Sequence, residues 1–117
     1  MNSSKSKTSM RLGSIVKPQP SDYIVTDNGV MFYAEIKSSN NPTSFPFGNI
    51  EKFQWIYANA QEKASGLYFF FLHNLITNRW YKVPSTVITG AKREGKASIK
   101  WTLLETYFDK GLTHYVD

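Results

Sequence analysis

The chain lacks cysteine altogether, and its two histidines, His73 and His114, lie far apart in the sequence. Without thiols, disulfides and thiolate metal sites are excluded, and two distant imidazoles disfavour a zinc site. No apolar run approaches the roughly 20 residues that a membrane-spanning helix needs. The start of the chain is polar rather than signal-like, which favours a cytoplasmic setting. We therefore expect a cytoplasmic globular protein without disulfides.

Acidic residues are fewer than basic ones: 9 Asp and Glu stand against 14 Lys and Arg, a net charge of +5 over 117 residues. This excess favours a nucleic-acid partner without proving one. The first 20 residues contain no acid, and we expect residues 1–12 to form a flexible basic arm. Either this segment contacts phosphate, through Arg11 and Lys17, or it is a solvated tail. The length suits one domain over residues 1–117.

The most informative stretch is PSDYIVTDNGVMFYAEIK, residues 20–37. Asn28 and Gly29 separate two β-rich runs, and Asn-Gly is a strong signal for a hairpin with a type I′ turn. Side chains alternate along a strand, so Glu35 and Lys37 point the same way, roughly 7 Å apart. Pairing of the two strands brings Asp22 close to their level. The hairpin therefore predicts two acids and one amine in a single group.

Such a group has the components of a phosphodiester hydrolase. Carboxylates are hard oxygen ligands that suit Mg²⁺ or Mn²⁺, and the ion stabilises charge that grows on a phosphate oxygen. A lysine beside the ion can orient or deprotonate the attacking water. The alternative is a surface hairpin with an ordinary Glu–Lys pair of little energetic value. Spacing alone favours this alternative.

A βαβ unit follows the hairpin. After a turn-rich loop, Asn49 is the expected N-cap of a helix that Gly66 ends. The continuous apolar run Leu67–Leu72 predicts a buried central strand. A right-handed crossover places this strand parallel to the one that carries Glu35, so we expect an α/β fold with a mixed sheet. The predicted buried stripe of the helix consists of Ile50, Phe53, Tyr57, Ala60 and Ala64, with Gln54 at its edge.

The last third of the chain gives weaker signals. We expect a strand at Asn78–Val83, a short helix within Pro84–Glu94, and a helix at Trp101–Asp109 that buries its apolar residues. A basic turn separates the two helices, and a small edge strand is predicted at Thr113–Val116. His73 is expected to be a strand-end residue without a catalytic role. Phosphate contacts are assigned to Lys92, Arg93 and Lys96.

Several motifs together resemble a known family. The arrangement P-S-D…A-E-I-K is similar to the signature of PD-(D/E)xK nucleases. The longer stretch AEIKSSNNPTSFPFGNIEKFQW, residues 34–55, resembles RecU-type Holliday junction resolvases, in which a T-S-F-P loop and an N-I-x-x-x-Q helix start follow the E-x-K strand. The similarity covers residues 20–83 and favours a nuclease over the surface pair. Its pieces are Thr43, Ser44, Phe45, Pro46, Asn49, Ile50 and Gln54.

The resemblance implies a restriction-endonuclease-like fold, a mixed β-sheet flanked by helices. It implies that Asp22, Glu35 and the Ile36 carbonyl bind Mg²⁺, for which Mn²⁺ can substitute. Lys37 would be the catalytic lysine, with Gln54 as a helper in the site. Such resolvases act as homodimers, each subunit cutting one strand of a four-way DNA junction. The SFPF loop would lie near the DNA, so the resemblance also implies DNA contacts by Ser44 and Phe45.

The chain departs from the family pattern in two respects. No Asp or Glu precedes Asp22, whereas many nucleases of this superfamily supply a further acid there. No insertion corresponds to the protruding stalk of larger members. Two alternatives therefore stay open: a repair or restriction-type nuclease that acts on linear duplex, and a nucleic-acid-binding module that does not cut. The second would stack bases on aromatic residues in the run Arg79–Lys82.

Overall fold

The computed structural model describes residues 21–110. No helix within this range is long and apolar enough to cross a membrane. Two predictions lie outside the described residues: the basic arm with Arg11 and Lys17, and the edge strand at Thr113–Val116.

A four-stranded mixed sheet forms the centre of the fold. Its strands are β1 (Tyr23–Asp27), β2 (Val30–Ser39), β4 (Tyr68–Asn74) and β5 (Arg79–Pro84), in the order β1-β2-β4-β5. β2 and β4 are parallel, while the other two pairs are antiparallel. The predicted α/β class and the parallel crossover are confirmed.

The β1–β2 hairpin forms where the Asn-Gly pair predicts it. Asn28 has φ 56° and Gly29 has φ 82°, the positive values that a type I′ turn requires. Tyr23 pairs with Ala34 in the register of the two strands. This register places Asp22 beside Glu35, as expected. β2 is longer than predicted and continues to Ser39.

The long helix, α1 (Lys52–Lys63), begins later than predicted. Its N-cap is Glu51 rather than Asn49, which ends a short 3₁₀ turn over Phe47–Asn49. The predicted buried stripe is wrong for three of its five residues: Phe53 is 46% exposed, and Ala60 and Ala64 are exposed. Ile50 is buried, and Tyr57 packs against the larger hydrophobic cluster. The buried residues of α1 are Gln54 and Ala58. The helix is rotated because the Gln54 side chain reaches a buried partner in the sheet.

Two hydrophobic clusters cover the two faces of the sheet. The larger cluster lies between the sheet and the helices, and its strand residues include Phe70, Leu72, Tyr81 and Val83. The smaller one lies on the opposite face and contains Val25, Phe32, Ala34 and Phe71. β4 contributes to both clusters, which confirms its prediction as a central strand covered on both faces.

The C-terminal third differs from its prediction in detail. α2 (Ser85–Arg93) is present as expected. Residues 101–107 form a 3₁₀ helix instead of an α-helix, although its Trp101 and Leu104 point inward. The predicted turn-rich loop contains a short strand, β3 (Ser44–Pro46), which pairs with β6 (Ser98–Lys100). This small sheet was not predicted because three-residue strands leave no periodic signal.

Candidate active site

Glu35 is the centre of a buried polar group beneath α1. Its side chain is 1% exposed, although it lies on β2 among aromatic residues. The backbone N–H of Asp22 donates to Glu35 Oε2 at 2.9 Å. Gln54 Nε2 donates to Glu35 Oε1, also at 2.9 Å. The hairpin and the helix therefore each bind one oxygen of the same carboxyl group, which fixes its orientation.

Gln54 is itself held by the start of its helix. The backbone N–H of Glu51 donates to Gln54 Oε1 at 2.9 Å, one half of a capping box. Because the side-chain oxygen is used in this way, the amide nitrogen of Gln54 faces Glu35. The N-terminal turn of α1 thus positions a donor at the carboxyl group, and Gln54 is buried at the site rather than at the edge of a stripe.

Asp22 and Lys37 act electrostatically on the same carboxyl group. The pKa of Glu35 is raised to about 8, first by burial and then by hydrogen bonding and charge from the Asp22 side chain, while the Asp22 backbone N–H and Lys37 oppose the rise. Lys37 follows Glu35 by two residues in β2 and is half-buried, so both side chains leave the same face of the strand. The structure therefore brings the three predicted groups together.

Tyr68 is a member of this group that sequence reasoning missed. It opens β4 and is buried, and its pKa is raised by burial and then by the charges of Glu35 and Asp22. Its phenol therefore lies within the electrostatic range of both acids. No spacing signal pointed to it, because it begins an apolar run. Glu51 was also missed, although its Glu-x-x-Gln spacing to Gln54 resembles a capping box.

The donor set fits a hard divalent cation. Two carboxyl groups lie together, one of them buried with a raised pKa, and a cation relieves this arrangement by favouring the ionised form. Among residues 21–110 there is no cluster of three or more His, Cys, Asp or Glu side chains that could hold a metal ion. Mg²⁺ needs no full protein cage, since it usually keeps several waters. The Ile36 side chain packs against the second cluster on the opposite face of the sheet. Ile36 can therefore offer a metal ion only its backbone carbonyl oxygen.

A comparison with protein families gives a match over nearly the whole chain. A family model described as RecU, recombination protein U, matches residues 1–115. The chain belongs to the RecU family. No curated protein matches it. RecU proteins are nucleases that resolve Holliday junctions and depend on a metal ion, and this RecU chain therefore has a DNA junction as its substrate.

The described residues predicted to contact DNA in this RecU protein fall into two groups, one in β3 and the other at the end of α2 and in the turn after it. Ser44 is half-buried in β3. Phe45 is fully buried and packs against Trp101, with ring centroids 6.1 Å apart. The prediction that Phe45 contacts DNA is therefore wrong for its side chain, because the small β3–β6 sheet turns it into the core. Lys92, Arg93 and Lys96 are all exposed.

The basic turn lies close to the start of α1. Lys92 Nζ is 4.8 Å from the centroid of the Trp55 ring, and Trp55 follows Gln54 directly. The N–H of Phe47 donates to the carbonyl of Ala97 at 2.9 Å. These contacts join the turn that carries Lys92 and Lys96 to the 3₁₀ turn that precedes the helix. The end of α2 and the turn after it therefore pack beside the first turns of α1 and the 3₁₀ turn before it.

The aromatic run in β5 does not form a stacking surface as a whole. Tyr81 is 1% exposed and stacks on Trp101. Trp80 is half-buried and stacks on His73 at 4.2 Å. Tyr81 is therefore a core residue that faces the larger cluster, while Trp80 packs at the edge of the smaller one.

Proposed function

We propose that Asp22, Glu35 and the carbonyl of Ile36 hold Mg²⁺, for which Mn²⁺ can substitute, and that Lys37 assists hydrolysis of the junction's phosphodiester bonds. The observation that carries this proposal is the pair of hydrogen bonds from Asp22 N–H and Gln54 Nε2 to one buried carboxyl group. They preorganise an acid that has no structural reason to be buried. The bound ion supplies Lewis-acid stabilisation of the negative charge on phosphate.

Lys37 orients the attacking water through its ammonium group, and the proton that the water loses passes to solvent. Its ammonium group leaves the same face of β2 as the Glu35 carboxyl group and acts on it electrostatically. A lysine at this place also stabilises the anionic phosphate as charge develops. Attack in line with the leaving O3′ breaks the P–O3′ bond and leaves a 5′-phosphate.

Gln54 is a positioning residue for Glu35. Gln54→Ala removes the donor at 2.9 Å from Glu35 Oε1 and the acceptor of the Glu51 N–H. We expect Mn²⁺ affinity to fall by about 10–100-fold, as for partners that orient metal ligands elsewhere. Titration calorimetry measures this affinity independently of cleavage. Gln61→Ala, in the same helix, is the matched control and should bind Mn²⁺ like the wild type. Equal affinities in all three proteins would contradict the role of Gln54.

DNA flanking the cut site is bound by exposed basic residues beside the site. Lys92, Arg93 and Lys96 lie at the end of α2 and in the turn after it. Arg93 Nη1 donates to Asn59 Oδ1 at 3.3 Å, and Lys92 rests on Trp55. Phosphate contacts of this kind supply affinity and register rather than sequence specificity. Arg11, Lys17 and Ser44 are further proposed contacts to DNA.

The active form is a homodimer of this single-domain chain. A four-way junction needs a cut in each of two strands, and the described chain carries one group of Asp22, Glu35 and Lys37. A two-fold axis presents two such sites symmetrically. Each subunit then nicks one strand, and the paired nicks resolve the junction.

A panel of DNA substrates tests the proposed function. The purified protein is offered a mobile four-way junction, a fork, a linear duplex and a single strand, each with and without Mg²⁺. We expect symmetric nicks in the junction alone, and only with Mg²⁺. Cutting of every substrate would point to a generic nuclease. Binding without cutting in either Mg²⁺ or Mn²⁺ would point to a binding module.

A further inference from the structure

The hairpin between β4 and β5 carries two aliphatic residues at its tip. Leu75 is 50% exposed and Ile76 is 59% exposed, in a connection of residues 75–78 between the two strands. Turn positions usually hold Gly, Pro, Asn, Asp or Ser, each of which contributes to turn geometry. A leucine and an isoleucine contribute nothing of that kind. Turn geometry therefore does not explain why two aliphatic residues occupy this tip.

Polar residues on either side of the tip hold it in one conformation. Asn74 is buried, and its Oδ1 accepts hydrogen bonds from the N–H groups of Ile76, at 2.9 Å, and Thr77, at 3.4 Å. Asn78 adopts φ 58°, a conformation that asparagine tolerates. Its Oδ1 lies 2.8 Å from His73 Nε2. Because its backbone is fixed in this way, the tip presents both aliphatic side chains outward.

The tip lies next to the Lys37 end of the candidate active site. The N–H of Leu75 donates to the carbonyl of Ser39 at 2.9 Å, and Ser39 is the last residue of β2. Ser39 follows Lys37 by two residues on the same face, roughly 7 Å along the strand. DNA bound at Lys37 therefore passes within reach of the Leu75 and Ile76 side chains.

We propose that Leu75 and Ile76 form an apolar wedge that packs against base faces at the branch point of the junction. The proposal rests on the proposed function, since it takes branched DNA at Lys37 as given. Leucine and isoleucine side chains serve as wedges in other DNA-bending proteins, where they unstack a base step. At a branch point the stacking of base pairs is interrupted, so insertion costs less there than within a continuous duplex. The wedge thus favours branched over linear DNA next to the scissile phosphate.

A fluorescent junction tests the wedge. The double variant Leu75→Ala/Ile76→Ala is compared with the wild type on an immobile four-way junction with 2-aminopurine beside the branch, in Ca²⁺ instead of Mg²⁺. We expect the wild type to raise 2-aminopurine fluorescence by unstacking, and the double variant to lose this rise. Its junction affinity should fall about tenfold, the scale of one lost stacking contact, while its affinity for linear duplex stays unchanged.

Leu67→Ala is the matched control, because Leu67 is 45% exposed and lies just before β4, at the opposite end of that strand. It should behave like the wild type. Full fluorescence and affinity in the double variant would overturn the wedge, as would equal losses on junction and duplex. The double variant could instead lose self-association in sedimentation while each remaining dimer binds the junction like the wild type. That result would show that the tip contacts a second copy of the chain, and it would also overturn the wedge. Failure of the wild type to cut the junction in Mg²⁺ would instead overturn the proposed function, and the Ca²⁺ binding assay does not depend on that result.

Discussion

Replacing Lys37 by alanine is expected to abolish junction cleavage while leaving junction binding intact. A positioned donor that stabilises charge developing in the transition state contributes about 10²–10³-fold to a rate, and Lys37 is also proposed to orient the attacking water. Its removal leaves the hydrogen bonds from Asp22 and Gln54 to Glu35 in place. Asp22→Asn should have the same outcome, because an amide replaces an anionic metal ligand. Single-turnover cleavage of a labelled junction in Mg²⁺ measures the loss.

Lys82→Ala is the matched control for Lys37→Ala. Lys82 is also a half-buried strand lysine, but its Nζ lies 4.6 Å from the centroid of the Phe32 ring, on the face of the sheet that carries the second cluster. Its removal should leave the cleavage rate within a few-fold of the wild type. Normal cleavage by Lys37→Ala or Asp22→Asn would remove those residues from the mechanism. A loss of junction binding equal to the loss of cleavage would assign them to DNA binding instead.

The hairpin that carries the acids was predictable because its determinants are local. Asn28 and Gly29 set the turn, the turn sets the register, and the alternation of side chains sets which residues share a face. The register of Tyr23 with Ala34 then places Asp22 beside Glu35. Each of these steps depends on residues within a few positions of one another. Spacing and resemblance are therefore sufficient to predict where the candidate site lies.

The rotation of α1 was not predictable because its cause lies in the sheet. Phe53 and Tyr57 have the apolar spacing of a buried stripe, yet Phe53 is 46% exposed. A polar residue, Gln54, takes the inward position because it binds Glu35, 19 positions earlier in the chain. Periodicity treats glutamine as a surface residue and so assigns the wrong face. The error in the helix face thus comes from the contact that builds the site.

The burial of Phe45 is a second feature that could not be predicted from local sequence. The T-S-F-P resemblance predicted a loop near DNA, but β3 pairs with β6 across more than 50 residues of chain, Phe45 opposite Ile99. A long-range pairing of two short strands leaves no trace in local composition. Once it forms, alternation turns Ser44 and Phe45 to opposite sides and buries the aromatic ring. A motif located the segment correctly but could not give the direction of its side chains.

Glu35 is expected to make the metal-free protein less stable as the pH rises. Its pKa is about 8 in the folded chain and 4.5 in its ordinary range, so between these values the folded state binds more protons than the unfolded state. Stability is therefore fully present below about pH 4.5 and falls as the pH approaches 8. At about 1.4 kcal/mol for each pH unit, the difference between 4.5 and about 8 corresponds to a total loss of the order of 5 kcal/mol. Urea unfolding in EDTA over this range measures it.

Glu35→Gln should remove most of this pH dependence, because an amide does not titrate. Mg²⁺ should reduce the loss in the wild type at high pH, since a ligand that prefers the ionised carboxyl group stabilises the folded state, and it should not stabilise the variant. Glu62→Gln is the matched control: Glu62 binds Ser85 and Thr89 between the two helices, away from the site, and this variant should keep the wild-type response. A flat wild-type profile, or an unchanged slope in Glu35→Gln, would show that Glu35 is ionised at neutral pH without a metal. The group of acids would then be stable by itself, and its burial would no longer point to a missing cation.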